Sequence, residues 1–348
     1  MMRAFSVSAS YKGKMIYIET HSKTPYVNLA YEEYFLKFND LGDDLFMLWQ
    51  NEPTIVVGNF QNTMAEINRD YVREHNIHVV RRTSGGGAVY HDEGNLCFSF
   101  ILHGRYSPED IKFSEFVQPV VTALKQLGIK AEISGRNDLT IDGAKFSGNA
   151  MRVYKDRILF HGTILYDSEL DVLGKALKGS LDKLVSKGVK SIRSRVTNVK
   201  PHALKDMSIL EFKENLKILL YNGAKEIEYI PNALDRAAIM DLAENKYKSW
   251  EWNYGKNPKA EVAYSRRYPG GKIEVYLMLK EDVIQFCLIK GDFLGCVDIT
   301  EVEQKLLNVR YDRESVMKAL DGVDFMLCFG AVTQNEVIDC IMGNNLIV

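Results

Sequence analysis

The sequence of 348 residues predicts an α+β fold in which most strands pair antiparallel. Three observations support this prediction. Large apolar residues recur at every second position in runs such as residues 95–102, where Leu96, Phe98, Phe100 and Leu102 share one face, which is the period of a strand. Apolar residues at helical spacing occur in isolated segments such as residues 28–40, so strands and helices do not alternate regularly. Asp142-Gly143 lies between two apolar runs, a pattern typical of a hairpin.

The elements of the first half of the chain follow a short strand that begins at Met15. Thr63 and Glu66 form a capping-box pattern, which predicts the start of a helix. Pro53 and its neighbours mark a turn between two strand-like runs. In chain order, the predicted elements are a helix over 28–40, two strands within 45–58, a helix over 63–75, strands over 77–82, 88–92 and 95–102, a helix over 113–127, and strands over 129–133, 138–153 and 157–166.

The second half of the chain divides into two parts. Residues 169–245 have a mostly helical pattern, whereas residues 248–260 follow no period and predict a linker. Three strands (261–268, 272–280, 283–290) and three helices (299–307, 312–320, 333–342) then follow. The predicted organisation is therefore an extension over 1–14, a large domain over 15–247, the linker, and a small α+β domain over 261–348.

Composition excludes several classes of protein. Lys and Arg number 44 against 46 Asp and Glu, so bulk electrostatic binding to nucleic acid or an acidic membrane is not expected. The five cysteines are an odd set without a C-x-x-C pair, which predicts reduced thiols and a cytoplasmic location. The sequence contains no apolar run of about 18 residues that could span a membrane.

The densest chemical signal is the run over residues 81–92, RRTSGGGAVYHD. The glycines Gly85, Gly86 and Gly87 leave the backbone bare, so that its N–H groups can converge on an anion. Arg81 and Arg82 add fixed positive charge and forked donors for phosphate or carboxylate. The run matches neither common phosphate-binding glycine motif. The alternative is a flexible hairpin loop with solvated arginines.

A second set of polar residues follows at Asn137, Asp138, Lys145, Ser147 and His161. A lysine within an apolar strand is costly to bury unless it meets an anion, so Lys145 is a candidate anion ligand. The alternative is a lysine on an edge strand that faces solvent. Asp138 could cap a turn or bind a metal ion. His91 and His161 fit hydrogen-bonded core positions as well as a site.

Two further features have structural and functional interpretations. Cys97 lies among apolar residues of a strand, where a thiol usually serves packing. Residues 172–205 contain nine Lys or Arg and one acid, which fits either a solvated helical face or a docking face for an acidic partner.

At residues 81–95 the sequence resembles the lipoate–protein ligase A family. The resemblance continues through NDLTIDGAKFSGNA (137–150), HGTILYDSELDVLGKAL (161–177), SIRSRVTNV (191–199) and WNYGKNP (252–258). It implies a catalytic domain of the biotin/lipoate ligase fold, related to class II aminoacyl-tRNA synthetases, and a small C-terminal accessory domain.

The resemblance also implies the reaction and its residues. Lipoate and Mg-ATP give lipoyl-AMP and pyrophosphate, and a lysine of an acceptor protein then displaces AMP. The ATP-binding residues carried over are Arg82, Gly87, Ala88, Val89, Tyr90 and Lys145. The expected lipoate-binding residues are Lys145, Arg81, Gly86 and His91, with the second tier Ser84, Gly85, Asn137, Asp138, Ser147 and His161. Lys145 is the expected catalytic residue. Independently of the resemblance, the apolar character of the lipoyl tail predicts a tunnel lined by strand side chains of residues 45–58 and 96–102.

The partners implied by the resemblance are apo-lipoyl domains of the E2 subunits of 2-oxoacid dehydrogenase complexes, or the glycine cleavage H protein. Two other functions are alternatives. One is an ATP-independent transferase of lipoyl or octanoyl groups between carrier proteins, which needs a cysteine nucleophile. Residues 145–171 contain no cysteine, which argues against that reaction. The other is a catalytically silent module that binds lipoate.

Overall fold

The structure is a computed structural model that describes residues 15–104, 113–135, 137–177, 195–221, 225–255 and 262–343. The extension predicted over residues 1–14 lies outside the described residues. The fold is α+β, as the sequence predicts, and the described residues form three sheets with antiparallel pairing between most neighbouring strands.

An eight-stranded sheet forms the centre of the large unit. Its strands are β1 (Met15–Tyr17), β2 (Asp44–Trp49), β6 (Asn95–His103), β7 (Glu132–Ser134), β8 (Asp138–Ile141), β9 (Ala144–Tyr154), β10 (Arg157–Leu165) and β11 (Ile227–Glu228). Their order is β11-β1-β2-β6-β10-β9-β8-β7. β1 is parallel to both of its neighbours, and the other pairs in this sheet are antiparallel.

A small sheet carries the glycine run. β3 (Thr54–Val57) lies between β4 (His78–Arg81), to which it is parallel, and β5 (Val89–His91), to which it is antiparallel. The loop over residues 82–88 therefore connects two strands that flank the same neighbour. A strand-to-strand connection was predicted from the sequence.

The helices cover both faces of the large sheet and fill the C-terminal unit. They are α1 (Pro25–Lys37), α2 (Thr63–Glu66), α3 (Arg69–Glu74), α4 (Phe113–Gln126), α5 (Leu170–Ala176), α6 (Ile209–Tyr221), α7 (Ala233–Leu242), α8 (Trp250–Asn253), α9 (Thr300–Lys305), α10 (Arg313–Ala319), α11 (Phe325–Phe329) and α12 (Gln334–Ile341). Residues Ala243–Tyr247 continue α7 as a π-helical turn, and Lys200–His202 form a 3₁₀ turn.

Alternation along β6 shows how the sheet separates two cores. Phe98 and Phe100 pack with α4 and α6 on one face, whereas Cys97 and Ile101 pack with α1 on the other. Successive strand residues point to opposite faces, so one strand supplies both cores. α1 is buried almost all round because α7 and the π-helical turn cover its outer side.

The C-terminal unit has its own hydrophobic core. The antiparallel strands β12 (Val262–Tyr268), β13 (Gly271–Lys280) and β14 (Val283–Gly291) pack against the four last helices. Phe60 of the large unit enters this core and stacks on Phe293 at a ring-centroid distance of 4.7 Å. The C-terminal unit is thus packed directly against the end of β3.

Several predicted elements differ from the structure. The helix expected over residues 63–75 is split into α2 and α3, and the capping box is wrong because Asn62 is the N-cap. The hydroxyl of Thr63 instead donates to the carbonyl oxygen of Asn253. The predicted linker over 248–260 contains α8, which packs against β4. β11 and α11 were not predicted.

Candidate active site

A cleft of about 600 Å³ opens where α1, the small sheet and strands β2, β6, β9 and β10 meet. The residues that the sequence predicted for the site and that line the cleft are Arg82, Gly86, Gly87, Ala88, Val89, His91, Asn137, Lys145 and His161. The structure therefore brings together residues from three separate sequence motifs.

Lys145 and Asp138 mark the exposed end of the cleft, here called the outer end. Lys145 Nζ lies 2.7 Å from Asp138 Oδ1, and the two side chains are 40% and 34% exposed. At Lys145, β9 pairs with Thr140 of β8 on one side and with Val196 on the other, so the alternative that Lys145 lies on an edge strand is wrong. The amide of Asn137 donates to the carbonyl oxygen of Asn149, which holds Asn137 beside this ion pair. The outer end thus presents an ammonium group to solvent.

Arg82 organises the glycine loop from inside. Its Nη2 donates to the carbonyl oxygens of Gly85 and Gly87 at 2.6 and 2.8 Å. In a trans peptide the N–H points away from its carbonyl, so the N–H groups of Gly86 and Ala88 turn away from Arg82. Gly86 has φ +90°, which favours glycine. Burial lowers the pKa of Arg82 to about 10, so the guanidinium stays charged at neutral pH.

A chain of buried hydrogen bonds joins Arg82 to a carboxylate on α1. Arg82 Nε donates to Ser84 Oγ (3.0 Å), and Ser84 Oγ lies 2.6 Å from His161 Nε2. His161 Nδ1 lies 2.9 Å from Glu32 Oε1, which also accepts from the hydroxyl of Ser99. Because Glu32 can only accept, His161 donates to it from Nδ1, and His161 Nε2 shares a hydrogen bond with the Ser84 hydroxyl. Ser84 and His161 thus connect the guanidinium of Arg82 to the carboxylate of Glu32 by hydrogen bonds.

The buried end of the cleft, here called the inner end, is mostly apolar. It is lined by Leu29, Trp49, Val56, His91 and Cys97. Trp49, Val56 and Cys97 belong to the strand runs that the sequence predicted as a tunnel lining. Burial and nearby positive charge lower the pKa of His91 to about 3, so its ring is neutral. Burial also raises the pKa of the Cys97 thiol, which is a poor nucleophile in consequence.

Among the predicted site residues that do not line the cleft are Arg81, Tyr90 and Ser147. Arg81 points the other way and donates to the segment after the large sheet, including the carbonyl oxygens of Trp252 and Asn253. The prediction that Arg81 contacts lipoate is therefore wrong in this geometry. Tyr90 packs in the core between β3 and α3, because it alternates with Val89 and His91. Ser147 is buried and accepts from the Asn149 amide.

Gly85 lies against the C-terminal unit rather than in the cleft. The N–H of Gly86 donates to the carbonyl oxygen of Phe293 at 2.9 Å. A Cβ at Gly85 would lie 2.7 Å from the same oxygen, so the contact requires glycine. A second hollow of about 840 Å³ opens here, lined by both units and adjoining the cleft at Asn137 and Asn149.

Comparison with protein families fits this geometry. The lipoyl protein ligase A/B catalytic domain matches residues 24–218, and the bacterial lipoate protein ligase C-terminus matches residues 257–341. The lipoate-protein ligase LplJ of Bacillus subtilis (strain 168) is 42% identical over 331 residues, which span 94% of this chain and 100% of that protein. The chain belongs to the lipoate–protein ligase A family.

Solved structures of similar lipoate ligases share the fold. LipL1 of P. falciparum in complex with lipoate has a TM-score of 0.76 and 26% identity, covering 95% of this chain and 98% of that one. A bipartite ligase from Thermoplasma acidophilum, described with its E2 lipoyl domain, has a TM-score of 0.63 and 30% identity over 72% of this chain and 99% of that one. A lipoate-protein ligase A bound with ATP has a TM-score of 0.58 and 27% identity over 70% and 98%.

The described residues include no cluster of three His, Cys, Asp or Glu side chains that could hold a metal ion. Asp138, the predicted candidate, is engaged by Lys145. Most of the predicted docking face over residues 172–205 lies outside the described residues, since residues 178–194 are not described. Among the helices of the described segments, none is long and apolar enough to cross a membrane.

Sequence reasoning missed Glu32, which supports this lipoate ligase site through His161. It covered Trp49 only as part of the predicted tunnel-lining run 45–58, and it assigned Asn51, a hydrogen-bond partner of His91, only to a turn. Glu32 lies three residues after Leu29 and three before Phe35, so it shares the buried stripe of α1. An acid within an apolar helical stripe needs a buried partner, and that signal was present in the sequence. Trp49 ends β2 and Asn51 directly precedes the bend at Glu52-Pro53, and nothing in the sequence distinguishes either from an ordinary core residue.

Proposed function

We propose that this chain ligates lipoate to a lysine of an acceptor protein, using ATP and forming lipoyl-AMP as the intermediate. The observation that carries the proposal is the cleft itself: an ammonium group and a glycine loop at one end, and a buried apolar end opposite. A fatty carboxylate fits this arrangement with its carboxyl group at the outer end. Membership of the lipoate ligase family makes lipoate the carboxylate.

In the first half-reaction, a carboxylate oxygen attacks the α-phosphorus and the bond to pyrophosphate breaks. Both reactants are anions, so positive charge must offset their repulsion. Lys145 is half-exposed and can exchange Asp138 for the carboxylate and the phosphate. Arg82 holds the loop so that the Ala88 N–H faces away from the guanidinium and toward a phosphate. Both groups mainly position and neutralise.

In the second half-reaction, the lysine amine of the acceptor attacks the lipoyl carbonyl carbon, AMP leaves, and the amine loses a proton. We propose apo-lipoyl domains of E2 subunits or the glycine cleavage H protein as acceptors. The bipartite ligase described with its E2 lipoyl domain supports the first of these. The basic residues of 172–205 would suit an acidic acceptor surface.

Magnesium fits this site as part of the nucleotide substrate. The described residues offer no ligand cluster, and Asp138 is the candidate carboxylate at the outer end. A magnesium ion carried by the phosphates of ATP would supply charge neutralisation during phosphoryl transfer.

The transferase alternative is disfavoured by the state of the thiols. Cys97 lines the cleft, but burial raises the pKa of its thiol. Cys296 lines the adjoining hollow, and burial raises its pKa to about 12. A transferase needs a thiolate that attacks an acyl donor. The silent binding module is disfavoured because lipoate binding alone has no use for the glycine loop.

The proposal is tested by incubating the protein with ATP, lipoate and a purified apo-lipoyl domain, and then measuring the mass of the domain by mass spectrometry. We expect the mass of one lipoyl group to be added only when both ATP and lipoate are present. Lys145→Ala should lower lipoate-dependent pyrophosphate exchange by about 10²–10³-fold. Lys155→Ala, at the exposed turn after β9, is the matched control. Near-normal exchange by the Lys145 variant would exclude the assigned role.

A further inference from the structure

Asn28 fixes the orientation of a buried polar chain beneath the inner end. Its Nδ2 donates to the backbone carbonyl oxygens of Ser22 and Gln50, at 3.1 and 2.9 Å. Two carbonyl acceptors can only face an NH₂ group, so the amide of Asn28 has one possible orientation. The same Nδ2 lies 2.8 Å from Asn51 Oδ1. Asn51 therefore turns its oxygen to Asn28 and its NH₂ group to the other side.

The amide of Asn51 in turn fixes the proton of His91. Asn51 Nδ2 lies 3.0 Å from His91 Nδ1, and an NH₂ group can only donate. His91 Nδ1 is therefore the acceptor and carries no proton. The ring is neutral, since burial lowers its pKa to about 3. The single ring proton is thus on Nε2.

The Nε2–H group of His91 has no well-aligned partner among the described residues. Cys97 Sγ is the atom within range, at 3.8 Å from Nε2 and 3.6 Å from Nδ1. An acceptor on the Nε2–H axis would be much farther from Nδ1 than from Nε2, because the bond points away from the ring. The sulfur atom lies beside the ring instead. His91 lines the cleft, so a neutral donor is present at an otherwise apolar end.

We propose that the Nε2–H of His91 donates to a dithiolane sulfur of lipoate and makes the site prefer lipoate to octanoate. This inference rests on the proposed function, which places the carboxyl group at Lys145 and the ring at the inner end. Octanoate has the same carbon chain length but no sulfur, so it leaves the donor buried without an acceptor. Sites with such a donor discriminate against ligands that lack the acceptor, because the buried N–H group loses its hydrogen bond to water without gaining another.

The expected preference for lipoate over octanoate is modest, because sulfur is a weak hydrogen-bond acceptor. A net hydrogen-bond contribution at the ordinary level corresponds to about threefold to tenfold in kcat/KM. The dithiolane also meets Cys97, whose thiol stays protonated and so does not attack the ring disulfide. The neutral state of both side chains thus allows an oxidised dithiolane to bind unchanged.

The test compares two variants at His91 that both remove the acceptor of Asn51. His91→Phe has no donor, whereas His91→Gln carries an N–H near the position of Nε2. The kcat/KM of pyrophosphate exchange is measured with lipoate and with octanoate for each. We expect the lipoate-to-octanoate ratio to fall by about threefold to tenfold in the Phe variant and to be largely kept in the Gln variant. Octanoate activity should be similar in both.

Each other outcome is decisive. A ratio unchanged by His91→Phe, or lowered equally by both variants, overturns the inference while leaving the ligase function intact. Absence of exchange with either acid in the unaltered protein would instead contradict the proposed function. If His91→Phe does not fold, the ring nitrogen resonances of the unaltered protein give the answer. Lipoate should shift the Nε2–H signal and octanoate should not, and equal shifts overturn the inference.

Discussion

At two places in the chain, adjacent residues of the same type point to opposite regions of the molecule. These pairs are Glu32 with Glu33 and Arg81 with Arg82. Arg82 and Glu32 face the cleft, where Ser84 and His161 join them. Arg81 and Glu33 face the segment 243–255, here called the packing side. Neighbouring residues of identical type thus serve a site in one case and tertiary structure in the other.

At the packing side, Arg81 and Glu33 make many hydrogen bonds and ion pairs, several of them with the segment 243–255. The guanidinium of Arg81 donates to carbonyl oxygens of Gly58 and Gln61 as well as Asn253. Glu33 is buried and bound by Lys246 at 2.7 Å and by the hydroxyl of Tyr247 at 2.7 Å. Lys246 balances its carboxylate, which keeps the pKa of Glu33 low despite burial. A buried charge is tolerated on either side only with this degree of pairing.

The largest expected contrast separates the two arginines. Arg82→Lys keeps a positive charge but cannot reach Ser84, Gly85 and Gly87 together, since a lysine lacks the planar fork. We expect lipoate-dependent pyrophosphate exchange to fall by about 10²-fold. Arg81→Lys should instead lower the free energy of unfolding by about 1.5–3 kcal/mol, with near-normal exchange per folded molecule.

Exchange kinetics and urea unfolding of the same preparations measure both effects. Equal losses of rate in the two arginine variants would show that the two sides are not functionally distinct. A loss of rate confined to Arg81→Lys would reverse the assignment of the two arginines.

The glutamate pair should give a smaller contrast. Glu32→Gln removes the negative charge that faces His161 Nδ1, which weakens the hydrogen-bonded chain through His161 and Ser84 to Arg82. Pyrophosphate exchange should therefore fall by about tenfold. Glu33→Gln should destabilise the protein by about 1.5–3 kcal/mol, because Lys246 loses its buried partner, and exchange should be nearly unchanged. The pH profile of exchange adds a check, since a purely structural role for Glu32 would leave that profile unaltered.

The sequence predicted the outer end of the cleft better than the inner end. Lys145, the glycine loop and Asn137 stand out because charge and bare backbone are unusual in apolar strands. The succession of most strands along the chain and the hairpin at Asp142-Gly143 also followed from local pattern, and Asp142 and Gly143 have the expected positive φ.

Apart from His91, the inner end was predicted only as two strand runs, 45–58 and 96–102, because its individual residues are ordinary core types. Trp49 and Cys97 become site residues only through the meeting of β2 and β6 with the small sheet. The different fates of Arg81 and Arg82 depend on which face of β4 meets α8, a tertiary fact. The alternation of a strand predicts that the side chains of Arg81 and Arg82 point to opposite faces, but it does not predict which of the two faces the cleft.

The smallest expected effect concerns Cys97. Burial raises the pKa of its thiol, so the group is neutral and takes no part in acyl transfer. Cys97→Ser preserves a small neutral side chain beside His91, at the cost of a less apolar surface. ATP-dependent lipoylation should therefore fall by no more than about threefold. Because a transferase would lose its nucleophile, complete loss of activity in this variant, with product formed by the unaltered protein when ATP is omitted, would reverse the choice between ligase and transferase.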